Sequence, residues 1–247
     1  MSGHSKWETT KRQKEATDKK RSALFSRLAR NITVSARENG GNIETNFNLR
    51  MFIEKAKDAN MPKDKIERAI KKGIGELKGE IIEKILYEAI GPGNIFFVIE
   101  SLTDNKNRAV SEIRHIFSKY NGSLVSKNSV MWQFKRKGVI KIKNYESKIK
   151  NLDLDIEEFE LNLIDYEAED IKKDGKDLIV YTKEKELQKI KEKIEKNNLK
   201  IEDAGIEFLP KETKKVTGQK EIEKVRNIFD ALNECEDVNN FYTNVIL

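Results

Sequence analysis

Two histidines, His4 and His115, and a single cysteine, Cys235, are all the imidazole and thiol that the 247 residues contain. A structural zinc centre needs four nitrogen or sulfur donors at short spacing, and one cysteine cannot begin one. The sequence holds neither a G-x-x-x-x-G-K-[ST] phosphate loop nor a G-x-G-x-x-G turn opening a helix. Gly91-Pro92-Gly93 lies between two apolar runs and reads as a hairpin turn instead. No Ser/His/Asp or Cys/His arrangement can be named. Residues 152–170 carry nine acidic side chains and no basic one. They lack the D-x-[DN]-x-[DN]-G grammar of a calcium loop, so they read as a solvated acidic face. The expectation is a chain with no catalytic residues, no metal, no cofactor and no small-molecule substrate: not an enzyme.

The chemistry that the residues do support is the binding of a polyanion. Lys6, Lys11, Arg12, Lys14, Lys19, Lys20 and Arg21 crowd the N-terminus, and Arg27 and Arg30 extend the charge along a patterned helix. Residues 1–37 hold ten Lys/Arg against three Asp/Glu, a net of +7. Residues 1–79 hold nineteen against ten, and the rest of the chain is slightly acidic. Each phosphate neutralised by such a cluster releases condensed counterions, which drives binding. Arginine forks onto phosphate while lysine acts as a point charge. A solvated basic tail would account for residues 1–20, but not for basic residues continuing along an amphipathic helix. Trp7 either stacks on a base or buries its ring against the helices, and the second reading is favoured somewhat. Lys63, Lys65, Arg68, Lys71 and Lys72 widen the patch or simply form a charged solvent face. Arg108, with Arg114, stands near a helix start in SLTDNKNR at 101–108 and is a secondary anion contact; Asn105 and Asn107 there serve as turn and cap.

These side chains need elements to hold them. Hydrophobic residues make up 37% and charged residues 36%, and the apolar ones are patterned, so a core is attainable. Asp18 caps a helix running to about Glu38, with Phe25, Leu28, Ile32 and Ala36 on one face and Gly40-Gly41 as its stop. A second helix spans about 46–59, and a third starts at Pro62 and ends before Gly73. Together they form a small bundle. LYEAIGPGNIFFVIESL reads as two strands, 107–120 as a helix and SVMWQFKRK at 129–137 as an alternating strand. GVIKI is a further strand, with a short helix after it. FELNLIDYEAEDIKKDGKDLIVYT reads as a hairpin turning at Asp174-Gly175. Residues 184–197 then form a helix, LKIEDAGIEF a strand, and the remainder strand, helix and strand.

The fold class is α+β. A basic helical N-terminal domain (1–79) is followed by a discontinuous α/β domain (80–137 plus 205–247). An acidic α/β domain (138–204) is inserted into it, and both have antiparallel, ferredoxin-like sheets with helices on one face. No apolar run approaches a membrane span and no secretory signal is evident, so a cytoplasmic protein without membrane partners is expected.

GHSKW at 3–7, KKRSALFSRLAR, NMPKDKIERAIKKG at 60–73, YEAIGPG at 87–93, SLTDNKNR at 101–108 and VMWQFKRKG at 130–138 stand in the order of the blocks of the YebC/PmpR family. The C-terminal LNECEDVNNFYTN resembles that family's ending. Val125, where a glycine is expected, and NIET at 42–45 depart from its pattern. The resemblance implies three domains, no known enzymatic activity and a transcriptional regulator that binds DNA. Relatives that act in translation imply the alternative, a factor bound to ribosomal RNA and the ribosome. An adaptor working through the acidic domain is a third reading.

Overall fold

The computed structural model describes residues 18–79, 81–152 and 155–247, with side chains from Arg21 onward apart from Asn151. These residues form two compact units, one running to Phe134 and resuming at Pro210–Leu247, the other Lys135–Leu209. Among the described residues three helices come first, and helices and mostly antiparallel strands are mixed along the rest of the chain, in keeping with the α+β reading.

The first unit opens with α1 (Asp18–Asn39), α2 (Phe47–Asp58) and α3 (Lys63–Gly73). Leu28, Ile32 and Ala36, four residues apart, put one stripe of α1 into a core with Leu49, Ile53, Ala56, Ile66 and Ala69. Asn46 ties the bundle together. Its side-chain oxygen accepts the Leu49 N–H at 3.1 Å, capping α2, and its Nδ2 donates to the Ser35 and Gly40 carbonyls, each at 2.8 Å. Gly73 is the last residue of α3 rather than the first beyond it. A Cβ at Gly73 would stand 2.5 Å from the Thr33 carbonyl oxygen and 2.6 Å from Ala36 Cβ, so glycine is what lets α3 lie against α1.

Two long strands follow, β1 (Glu83–Gly91) and β2 (Ile95–Thr103), antiparallel with Tyr87 opposite Ile99. The turn between them depends on Gly93 at φ +70°. Next come α4 (Lys106–Lys119), capped by the Asn105 side chain on the Arg108 N–H, and the short β3 (Ser123–Val125), which pairs with β1.

The second unit contains most of β4 (Phe134–Ile142), then α5 (Tyr145–Asn151), α6 (Ile156–Asp165), β5 (Asp170–Asp174), β6 (Asp177–Thr182), α7 (Leu187–Lys196) and β7 (Asp203–Pro210). Its sheet order β5-β6-β4-β7 is that of a ferredoxin-like unit, in which the central strands are not sequence neighbours. Two expectations are corrected here. SVMWQFKRK is not a strand from residue 129: Met131–Gln133 is a helical turn, and one continuous strand runs from Phe134 through GVIKI. The Glu88 carboxylate takes the backbone N–H groups of Asn128, Val130 and Met131, which leaves them nothing to donate to a ladder. FELNL is not a strand either. Asp155 caps α6 by accepting the Glu158 N–H at 2.8 Å, and Phe159 and Leu163 are buried one helical turn apart.

The chain then returns to the first unit through β8 (Lys214–Lys215), α8 (Gln219–Glu234), β9 (Val238–Thr243) and β10 (Val245–Ile246). Strand β9 pairs antiparallel with β2, completing the order β3-β1-β2-β9, while β8 and β10 form a small parallel pair. Ala89, Phe97 and Ile99 of the sheet meet Ile113 and Phe117 of α4 and Val225, Ile228 and Phe229 of α8 in one core. Phe97 stands edge-on to Phe117 at 5.1 Å between ring centres.

Candidate nucleic-acid interface

Arg21, Phe25, Ala29, Thr33 and Arg37 recur every four residues, so α1 presents them along a single face. On α3, Lys65, Arg68, Ala69 and Lys72 do the same at spacings of three and four. The two faces wall a groove of about 880 Å³, closed along one side by Gly79, Ile81 and Ile82. Its lining includes six cations, Arg21, Arg30, Arg37, Lys65, Arg68 and Lys72, against one carboxylate, Asp104. Phe25 sits at its rim, with the Arg21 guanidinium 5.5 Å and the Lys65 ammonium 5.8 Å from the ring centre.

The six cations divide by what they already hold. Arg37 donates to the Ile82 carbonyl at 3.0 Å. Arg30 donates to the Glu236 carbonyl and stands 3.2 Å from Asp237. Arg21, Lys65, Arg68 and Lys72 are exposed, and no carboxylate among the described residues pairs with them. Four open cations over a partly apolar floor can accept phosphate at little desolvation cost and pack a sugar or base edge beside it.

The other arginines expected at the interface are placed differently. Arg27 donates through Nε to the Val238 carbonyl and through Nη2 to the Asn233 carbonyl, both at 2.9 Å. It therefore fastens α1 to the end of α8 instead of facing a ligand, and burial lowers its pKa to about 10, leaving it charged at neutral pH. Arg108 grips Asp237 with two hydrogen bonds, Nε at 2.7 Å and Nη2 at 2.8 Å, and reaches Asp104 at 2.7 Å. Its pKa is raised by the bonds to Asp237 first and to Asp104 second. Asp237 is 1% exposed, and its backbone carbonyl accepts both the Ser101 hydroxyl at 2.7 Å and the Leu102 N–H at 3.1 Å. Arg30 and Arg108 thus converge on one buried carboxylate that joins the helices to the sheet. Lys6, Trp7, Lys11, Arg12 and Lys14 lie outside the described residues, as do the side chains of Lys19 and Lys20.

Sequence reasoning treated the α3 cations as an optional widening of the patch and assigned Phe25 to the core. The four-residue spacing of 21, 25, 33 and 37 was the available signal for the groove. Elsewhere, burial first and the hydrogen bond to Glu112 second push the Cys235 thiol up to about 12, so it is a neutral thiol at physiological pH. Among the described residues no group of three His, Cys, Asp or Glu is arranged to hold a metal ion, and no helix is long and apolar enough to cross a membrane.

Comparison with known proteins places these features. The TACO1/YebC N-terminal domain matches residues 5–76, and the TACO1/YebC second and third domain matches residues 82–245. A "probable transcriptional regulatory protein" of Thermotoga petrophila is 47% identical over 244 residues, covering 99% of this chain and 93% of that protein. One of the same description from Fervidobacterium nodosum is 50% identical over 244 residues with the same coverage. The crystal structure of a conserved hypothetical protein from Aquifex aeolicus superposes with a TM-score of 0.78 at 39% identity, covering 95% of this chain and 94% of that one. The resemblance read from the ordered sequence blocks is borne out over nearly the whole chain.

Proposed function

The chain belongs to the TACO1/YebC family, and from that premise we propose that it is a non-enzymatic, cytoplasmic regulator of gene expression that binds nucleic acid, acting on DNA as a transcriptional regulator. The observation that carries this reading is the groove between α1 and α3, with four exposed cations that no described carboxylate neutralises. The description of its relatives as probable transcriptional regulatory proteins supports the choice of DNA. Phosphate contacts give affinity and orientation, and Lys6, Lys11, Arg12 and Lys14, which precede α1 in the sequence, add to the positive charge available for them.

The test has two parts. Neutralising four phosphates gives a plot of log K against log salt with a slope of about −4. Lys65→Glu with Arg68→Glu then flattens that slope by about 2 and weakens binding, while unfolding shifts by no more than about 0.5 kcal/mol, since both side chains are exposed. An unchanged slope removes the groove from the interface. Crosslinking in living cells with sequencing of bound DNA and RNA decides the target. Enrichment at promoters supports transcriptional regulation; reads concentrated in ribosomal RNA replace it with action on translation.

A further inference from the structure

Among the described residues Trp132 is the one aromatic in the set of exposed large apolar side chains, with 61% of its surface open to solvent. A tryptophan ring is ordinarily buried, because it removes more apolar surface from water than any other side chain. Its exposure here is built. The loop from Ser126 to Gln133 wraps around the Glu88 carboxylate, which is 4% exposed. One Glu88 oxygen accepts the Asn128 N–H at 2.6 Å, and the other accepts the Val130 and Met131 N–H groups at 2.7 and 2.9 Å. Burying a carboxylate is costly unless its oxygens are satisfied, and here backbone donors alone satisfy it, so the loop and the charge define each other. Val130 is fully buried beneath the loop, and Asn128 takes φ +69° to turn it. The Trp132 indole N–H donates back to the Ser129 carbonyl at 2.9 Å. The polar edge of the ring is therefore held within the loop while its apolar face is left in water.

The surroundings select the ligand. Within the first unit, residues 113–134 contain three Lys/Arg, namely Arg114, Lys119 and Lys127, and not one Asp or Glu. The exposed loop residues beside the ring are Ser126, Lys127, Asn128 and Ser129, a cation and three hydrogen-bonding groups. A flat apolar face with its only donor already used, beside the exposed Lys127, suits a flat aromatic group attached to an anion. A base inside a duplex has both faces stacked already, whereas an unpaired base has a face to offer.

We propose that Trp132 is a stacking platform for an unpaired nucleobase, supplied either by locally melted DNA or by single-stranded RNA. The inference rests on the nucleic-acid reading above and adds a second contact point to it. The groove holds phosphates whatever the strand count; Trp132 distinguishes unpaired strands from paired ones.

The full-length protein is titrated with oligo-dT, oligo-U and a DNA duplex of equal length, following tryptophan fluorescence and affinity. Single strands are expected to quench a component of the emission that Trp132→Phe lacks, its remaining indole being Trp7. Trp132→Ala should weaken single-strand binding about tenfold or more, the size of one base–aromatic stack, and leave duplex binding unchanged. Trp132→Phe should keep much of the affinity, which shows that a ring and not the fold is being read. Tighter binding of oligo-U identifies RNA as the source of the base, and tighter binding of oligo-dT identifies melted DNA. Single strands that bind the Trp132→Ala variant as well as the wild type overturn the platform while the groove stands. No binding of any of the three overturns the nucleic-acid reading itself, and the platform with it.

Discussion

Replacing Asp237 by alanine should destabilise the first unit by about 3 kcal/mol. The carboxylate is 1% exposed and receives three contacts from two guanidiniums: Arg108 at 2.7 and 2.8 Å and Arg30 at 3.2 Å. Removing one side of a buried charge pair costs about 3–5 kcal/mol, because the partner is left desolvated and unpaired. Arg108 is 42% exposed and regains water, and it keeps Asp104, which pulls the value to the lower end. Arg30 is only 15% exposed and regains little. The reciprocal change, Arg108→Ala, leaves Asp237 its contact with Arg30 and should cost about 1–2 kcal/mol by the same reasoning. Both tryptophans of the chain, Trp7 and Trp132, precede the second unit, so fluorescence-monitored urea unfolding follows the first unit's transition. The double variant should be less destabilised than the sum of the singles, by about 1 kcal/mol or more, since both remove one interaction. Additive effects, or an Asp237→Ala variant within about 0.5 kcal/mol of wild type, would refute the claim that this carboxylate joins helices to sheet.

Two further outcomes follow from close packing and burial. Gly73→Ala should cost about 1–3 kcal/mol in urea unfolding, because its Cβ meets the Thr33 carbonyl oxygen and Ala36 Cβ inside contact distance; a neutral result would mean α3 can slide away from α1 freely. Cys235 has its pKa raised from 9.0 to about 12, so the unfolded chain loses the thiol proton first as pH rises. The unfolded state then binds fewer protons than the native one, and stability falls above pH 9 and through the interval to about 12, by up to about 1.4 kcal/mol per pH unit. Cys235→Ala should remove this component of the alkaline slope while leaving the rest, as read from melts taken between pH 8 and 10; an unchanged slope excludes the thiol as its source.

The helices of the first unit were legible because their apolar spacing and their stops agree: Leu28, Ile32 and Ala36 keep one register until Gly40 ends the run. The second unit was less legible at two points, for different reasons. Phe159-Glu160-Leu161-Asn162-Leu163 alternates like a strand and also satisfies a helical repeat of four. What decides is the Asp155 cap and the burial of Phe159 and Leu163 alone, with Leu161 left 63% exposed. The strand expected from residue 129 fails because of Glu88, forty residues earlier in the chain, whose carboxylate claims the loop's N–H groups. A pattern read within a short window has no access to an acceptor at that distance. The strands β3, β8 and β10, of two or three residues each, carry no periodic signal at all.

The interface poses a harder problem than the fold, because net charge counts every guanidinium alike. Arg27, Arg30 and Arg108 each contribute as much to the sequence total as Arg21, Lys65, Arg68 or Lys72, yet the first three are committed to carbonyls and carboxylates between residues 233 and 238, and Arg108 also to Asp104. Arginine suits that task because its planar fork satisfies several acceptors at once, and both Arg27 and Arg108 use it so. The open positions are two lysines and two arginines, three of them on α3, where an exposed cation on a flexible stem loses little by staying solvated until a phosphate arrives. It follows that loss of binding in an Arg27 or Arg30 variant carries information about contact only when its unfolding curve matches the wild type's. Loss of binding in a Lys65 or Lys72 variant is more directly interpretable, since both side chains are exposed and neither pairs with a carboxylate among the described residues. The division of the cations, more than their number, is what makes the groove between α1 and α3 the place to look for the polyanion.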